Sequence, residues 1–396
     1  MKNISNISLS GKKVLIRVDF NVPLDEYFNI TDDSRIRAAL PTIKKVIQDG
    51  GKSIIMSHLG RPRNEFEERF SLKHIVKHLS DLLETSVGFS GDCIGENTNT
   101  DISNMKNRDV LVLENLRFYP EEELGDPAFA KQLAKLADVY VNDAFGTAHR
   151  AHASTAIIAD YFPNEKYFGL LLRKEISSLK TALEKPKRPF TAIIGGAKIT
   201  GKIDVITSLF DIVDSLIVGG GMAYTFVKAI GGNIGNSLVE EDKVELAKSL
   251  IATAKEKGVQ LLLPTDSINA SAFNNDATIQ NSEITSVPAG FMGLDIGPRS
   301  IAQFSRVILN SKTIIWNGPM GVFEMENFSN GTKKIGDAVC KATENGAFSL
   351  VGGGDSVAAV KKFGLAKKVS YISTGGGAML VYLEGETLPG VDAILS

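Results

Sequence analysis

IIGGAKITGKI, residues 193–203, decides how the rest of this chain is read. Two β-favouring isoleucines run into paired glycines and then into a segment of helical character. Such a strand–turn–helix junction leaves bare backbone N–H groups at the positive end of a helix dipole, where an anion can approach without meeting a Cβ. The junction recurs as LIVGGGMAYTF from Leu216, LVGGGDSVAAV from Leu350 and YISTGGGAML from Tyr371. One glycine-rich junction is weak evidence, but four in one half of a chain point to a surface for a polyphosphate. The first nearly spells the P-loop signature G-x-x-x-x-G-K-[S/T]. Gly196, Gly201 and Lys202 fit it, yet Ile203 stands where the metal-binding hydroxyl belongs. A nucleotide held here needs its metal bound elsewhere, and Asp355 in GGGDS is the nearest candidate by motif logic.

Working outward, short β-rich runs alternate with helical patterns along the whole chain. VLIRV from Val14, SIIMS from Ser53, VLVLEN from Val110 and VYVND from Val139 precede AII, LIV, LLL, TIIW, SLV and SYI in the second half. Between them, segments such as 35–47, 72–83 and 241–257 carry apolar residues at spacings of three and four. Continuous apolar strands are those buried on both faces, so the fold class is α/β with largely parallel sheets and ligand sites at the carboxyl ends of the strands. The 396 residues exceed what one core supports, about 250–300, and two Rossmann-like domains are expected. RKEISSLKTALEKPKRP, 173–189, puts Ile176, Leu179 and Leu183 on one helical face before Pro186 and reads as a connecting helix with a hinge. The expected division is 1–172, then this helix, then 190–377, with 378–396 as a tail.

Where the second half places glycine at strand ends, the first places charge. RVDFNVP supplies Asp19 and Asn21, SHLGRP supplies His58 and Arg61, ENLRF supplies Arg117, and NDAFGTAHR ends at Arg150. The helix opening after Thr31 adds Arg35 and Arg37. Arginines converging on one sheet edge suit a small, highly charged anion, because guanidinium binds phosphate and carboxylate as a fork. Taken alone, Arg35 and Arg37 read as solvated helix faces, as do His74 and His78. His149 and His152 resemble half a metal site but have no third ligand nearby.

Composition excludes other classes. Hydrophobic residues make up 43% and charged residues 23%, as in a globular domain, and the net charge of −2 provides no global basic field for nucleic acid or membrane. Cys93 and Cys340 form no ligand or redox spacing and read as buried thiols. The N-terminal stretch lacks the apolar core of a signal peptide, and no run approaches the roughly 18 apolar residues of a membrane span. A cytoplasmic protein is expected.

An anion pocket on one domain and a polyphosphate surface on the other describe a kinase that brings two phosphorylated ligands together. With RVDFNVP, DDSRIRAALPTI, SHLGRP, LENLRF, NDAFGTAHRAHAST, GGAKITGKI, IVGGGMAYTF, MGLDIGP, WNGPMGVFE, GGGDS and ISTGGGA in that order, the chain resembles the phosphoglycerate kinases from about Leu9 to its C-terminus. The resemblance implies that Asp19, Asn21, Arg35, His58, Arg61, Arg117 and Arg150 bind 3-phosphoglycerate, with Phe20, Leu59 and Gly60 in the same stretches. It implies that Lys198 and Lys202 contact the moving phosphate, Gly293 the adenosine and Glu324 the ribose. Gly353, Gly354, Asp355 and Ser356 would form the phosphate loop, with Asp355 carrying Mg²⁺. Arg35, Lys198, Lys202, Gly354 and Gly376 are the implied catalytic set, ATP and ADP the co-substrates, and a monomer the expected state. The tail is expected to return to the first domain. Gly201 and Arg173 depart from the family pattern without touching an assigned residue.

Two other classes compete. A dinucleotide-dependent oxidoreductase would need G-x-G-x-x-G, and GGGMAY, GGGDSV and GGGAML all lack the final glycine. A binding protein that closes on an anion without chemistry would not need both lysines.

Overall fold

The computed structural model describes residues 2–63, 65–184 and 186–396. They form two compact units, Met1–Ser177 with Thr387–Ser396, and Ser178–Glu386.

The first unit is built on β1 (Lys13–Arg17), β2 (Lys52–Met56), β3 (Val87–Phe89), β4 (Val110–Val112), β5 (Val139–Asn142) and β6 (Lys166–Phe168). They lie in the order β3-β4-β2-β1-β5-β6 with every pairing parallel. Val14, Ile16, Ile55, Val112 and Val141 are wholly buried, as strands covered on both faces require. The helix Ser34–Gln48 turns Ile36, Ala39, Ile43 and Val46 into the same core. Parallel strands bring all the carboxyl ends to one edge. The winding reverses at β1, whose neighbours β2 and β5 lie on opposite sides, and this leaves a crevice at the edge.

The second unit repeats the plan with β7 (Phe190–Ile194), β8 (Ser215–Val218), β9 (Gln260–Leu262), β13 (Thr313–Asn317), β14 (Phe348–Val351) and β15 (Tyr371–Ile372), ordered β15-β14-β13-β7-β8-β9 and all parallel. Its reversal lies between β7 and β13. There Gly195 and Gly318 approach so closely that a Cβ on Gly318 would fall 2.0 Å from the Gly195 carbonyl oxygen, and Gly318 has φ +106°. Only glycine fits this crossing.

A second sheet in this unit, β11 (Ile279–Glu283), β10 (Asp266–Ala270) and β12 (Met292–Ile296), is antiparallel and was not anticipated. IQNSE is polar and mostly exposed, so it lacks the apolar periodicity that marks a strand.

Two bounds differ from expectation. The connecting helix runs Leu170–Leu183 rather than 173–189. It starts earlier because the Asp143 carboxylate accepts the Leu172 N–H at 3.0 Å at its first turn, and it ends before Pro186, which cannot donate to a preceding turn. Complete burial lifts the Asp143 pKa to about 7. The tail returns at Thr387 rather than 378, because the helix Gly376–Leu383 packs on the helix Ile203–Leu209 of the second unit. Beyond it Val391 and Ile394 are buried, and the Gly390 carbonyl accepts from Asn142 Nδ2 at 3.1 Å. Among the described residues, no helix is long and apolar enough to cross a membrane.

Candidate active site

The carboxyl edge of the first sheet carries the predicted basic groups on successive loops. After β1, Asp19 accepts both bonds from Arg35 NH1, at 3.0 and 2.9 Å, so Arg35 is tied to the edge while its side chain stays partly exposed. Asn21 Oδ1 accepts the Gly60 N–H at 2.8 Å, which ties the loop after β1 to the loop after β2. The Gly60 carbonyl accepts from Arg117 NH1 at 2.8 Å, and the Leu59 carbonyl accepts from Asn115 Nδ2 at 2.7 Å. Gly60 is glycine by necessity: its φ is +63°, and a Cβ there would fall 2.3 Å from the Phe70 ring. Phe20 donates its N–H to Ser57 Oγ at 2.8 Å and buries its ring. The backbone N–H groups of Phe20 and Gly60 are thus bonded within the protein.

His58 and Arg117 are buried, whereas Arg61 is exposed and Arg150 partly exposed. Burial first, then the neighbouring Arg17, Arg117 and Arg35, hold the His58 pKa well below the usual histidine value. Burial also lowers the Arg117 pKa, against the pull of Glu123. Glu123 reaches Arg117 Nε at 3.1 Å and Arg150 NH1 at 3.9 Å. This edge therefore gathers guanidinium donors around a neutral imidazole, with Asp19 and the exposed Glu123 as counter-ions. His149 and His152 face partners within the protein. His149 Nε2 faces Arg150 Nε at 3.3 Å, and His152 Nδ1 lies 3.8 Å from the buried Glu122. His74 and His78 are partnered too, to the Glu68 carbonyl at 2.7 Å and to Asp33 at 2.9 Å.

In the second unit the four glycine junctions share one sheet edge, and the first two, with Asp355 of the third, line a cavity of about 430 Å³, mainly apolar in its lining. Gly196, Gly220 and Gly221 form part of one wall, Gly293 another, and Glu324 and Asp355 stand at the lining as exposed carboxylates. Gly293 sits under Tyr224, whose Oη a Cβ would meet at 1.5 Å. Asp295 in the lining is a brace, since Oδ2 accepts the Gly331 N–H at 2.7 Å and Oδ1 the Ile296 N–H at 2.9 Å. Burial lifts its pKa to about 7.

The helices Gly354–Lys362 and Gly376–Leu383 begin at the third and fourth junctions, and a Cβ on Gly376 would lie 2.9 Å from the Gly353 Cα. Ser356 is fully buried and accepts the Gly318 N–H, so its hydroxyl fastens the loop after β13. Lys198 is exposed. Lys202 is half-buried and donates to Asn317 Oδ1; burial lowers its pKa and the Asp355 charge opposes the shift. The Asn317 Nδ2 is buried with no protein partner among the described residues. Among the described residues, no group of three His, Cys, Asp or Glu side chains could hold a metal. A divalent ion at Asp355 would complete its shell with phosphate oxygens and water, the manner in which Mg²⁺ binds nucleotides.

The phosphoglycerate kinase family model matches residues 4–386. The phosphoglycerate kinase of Porphyromonas gingivalis is 55% identical over 415 aligned positions, covering 99% of both chains. That of Chlorobaculum tepidum is 54% identical over 393, again covering 99% of each. The solved structure of the Coxiella burnetii phosphoglycerate kinase matches with a TM-score of 0.89 at 42% identity, over 99% of this chain and 98% of that one. The chain belongs to the phosphoglycerate kinase family.

Phosphoglycerate kinases are phosphotransferases with a carboxyl acceptor that use ATP and ADP as co-substrate. Within that frame, sequence reasoning missed several groups that the structure brings to the two edges. Arg17, Glu122 and Ser154 form a buried cluster behind His58, Glu123 pairs with two of the arginines, and Asn317 meets Lys202. Two of these carried a signal: Arg17 interrupts the apolar run VLIRV, and Asn317 ends the run TIIWN. A polar side chain inside a buried strand must find a partner.

Proposed function

We propose that this chain catalyses the reversible transfer of a phosphoryl group between the acyl phosphate of 1,3-bisphosphoglycerate and ADP, giving 3-phosphoglycerate and ATP, the glycolytic step of its family. The reading assigns the acid to the first unit, where Asp19, Asn21, Arg35, His58, Arg61, Arg117 and Arg150 orient its phosphate and carboxylate. The nucleotide is assigned to the second, with adenosine in the apolar cavity by Gly293, ribose at Glu324 and phosphates at Gly353, Gly354, Asp355 and Ser356. The observation that carries the reading is the pairing of chemistries, fixed arginines on one edge and bare glycine backbone beside Lys202 on the other.

Both nucleophiles, a carboxylate and a phosphate oxygen, are ionised at neutral pH, so the reaction needs no general base. Burial and the neighbouring arginines make His58 a poor base, in keeping with that. Catalysis then consists of positioning and charge stabilisation, with Arg35, Lys198, Lys202 and the helix starts at Gly354 and Gly376 directed at the transferring group. Asp355 is the residue that would hold Mg²⁺, whose charge offsets that of the nucleotide phosphates. Because the two ligands belong to different units, the reading includes hinge closure; the family resemblance adds a monomeric enzyme, and the sequence composition a cytoplasmic site of action. A coupled assay of ATP formation tests it. Wild-type turnover with a kcat loss of about two orders of magnitude in Arg35→Ala is expected, and wild-type inactivity with both ligands bound would sink it.

A further inference from the structure

Behind the basic edge lies a buried cluster that the reaction as described leaves unused. Arg17, the last residue of β1, is 1% exposed. Its Nε donates to Ser154 Oγ at 2.8 Å, its NH1 donates to the Val18 carbonyl, and its NH2 lies 3.2 Å from His58 Nδ1. Its counter-ion is the fully buried Glu122, 4.0 Å from NH2. Glu122 is itself fixed by Ser154, accepting the N–H at 2.9 Å and the hydroxyl at 2.6 Å. The Ser154 carbonyl accepts from Tyr140 Oη at 2.8 Å. Each of these partners is buried, so the guanidinium has no room to turn away.

A guanidinium carries donors only, so the imidazole nitrogen facing it must accept, and the proton of a neutral ring then resides on the other nitrogen. A doubly protonated ring would set N–H against N–H. His58 also faces Arg35, Arg117 and His152, which together with its burial disfavour the imidazolium. Its Nε2 has no protein partner among the described residues.

We propose that Arg17 is a positioning residue that locks His58 in its Nε2–H tautomer, so that His58 offers the bound acid one neutral hydrogen-bond donor of fixed direction among the arginines. The proposal rests on the assignment of His58 to the substrate site. Without Arg17 the ring can carry its proton on Nδ1, and Nε2 then turns a lone pair toward an anion. Exchanging a donor for a lone pair weakens acid binding roughly tenfold, within the range for a buried polar group left unmatched.

The test is a long-range ¹H–¹⁵N correlation of the histidine rings in the full-length, ligand-free protein, with His58→Gln assigning the His58 signals. The expected spectrum shows a protonated Nε2 and a bare Nδ1 at neutral pH; an Nδ1–H tautomer or an imidazolium overturns the proposal. Arg17→Met leaves Glu122 buried without its cation, so Arg17→Met/Glu122→Gln is measured beside it to preserve folding. In whichever variant folds, an Nδ1–H form should appear beside Nε2–H, and KM for 3-phosphoglycerate should rise, by at most about tenfold, with KM for ATP unchanged. Retention of Nε2–H as the sole form overturns the lock. Appearance of Nδ1–H with unchanged KM overturns the donor role and the substrate assignment of His58, independently of whether the enzyme turns over.

Discussion

Replacing Lys202 with Met separates catalysis from stability. The Lys202 side chain crosses Gly196, with Cε 3.6 Å from where a Cβ on that glycine would lie, and donates to Asn317 Oδ1 in a half-buried setting. Burial disfavours the ammonium, so removing it relieves a desolvation cost. The same change leaves the buried Asn317 oxygen without its donor. Each effect is of order 1–3 kcal/mol and they have opposite signs, so Tm should move little. In the transition state no such compensation exists. A preorganised charged donor aimed at the transferring phosphoryl contributes about 3–4 kcal/mol, and its loss should lower kcat by roughly 10²–10³-fold with a smaller change in KM for ADP. Initial rates in both directions, with calorimetry on the same samples, measure the two effects together. A kcat within about threefold of wild type, far short of the loss of a transition-state contact, would refute the reasoning. So would an activity loss that tracks a collapse in Tm.

Three further outcomes are expected. Glu123→Gln frees Arg117 and Arg150 from their shared carboxylate and should lower KM for 3-phosphoglycerate about threefold, the scale of an exposed ion pair; steady-state kinetics with ATP saturating would reveal it. Gly318→Ala drives a methyl into the Gly195 backbone at a positive φ, so urea unfolding should register a loss of at least about 3 kcal/mol. His152 is held down to about 3 from 6.5, chiefly by burial and then by Arg17. Its folded form prefers the neutral ring, so the stability this ring contributes is complete above pH 6.5 and drains as pH falls toward 3, because the unfolded chain takes up the proton. His152→Gln should therefore lose less stability than wild type between pH 7 and about 4.5 in parallel urea titrations.

The parallel sheets were legible because their strands are buried on both faces and so read as apolar runs, and the junctions because glycine marks close approach. IIGG and WNGP illustrate the limit. The first glycine cluster was read as a phosphate cradle, whereas the structure adds that Gly195 is also forced by the crossing with Gly318. That constraint comes from a strand more than a hundred residues away, which no local pattern records. The antiparallel β10–β12 sheet escaped notice because its exposed strand is polar. Of the basic groups, those on strand-end loops were readable from residue type and position. Their supports were not, because Glu122, Glu123 and Ser154 lie in segments whose composition, PEEEL and AHAST, reads as ordinary surface and turn. Only the fold reveals that Glu122 points inward and Glu123 toward the arginines.

The central claim is that the acid belongs to the arginine edge of the first unit and the nucleotide to the glycine edge of the second. Backbone amide shifts, followed while 3-phosphoglycerate and ADP are added separately to the full chain, test it directly. The account predicts that 3-phosphoglycerate moves the signals of Asn21, Gly60 and Arg117, and that ADP moves those of Gly221, Gly293 and Gly354. If both ligands moved the same set, or if the acid moved only the glycine edge, the account would be contradicted.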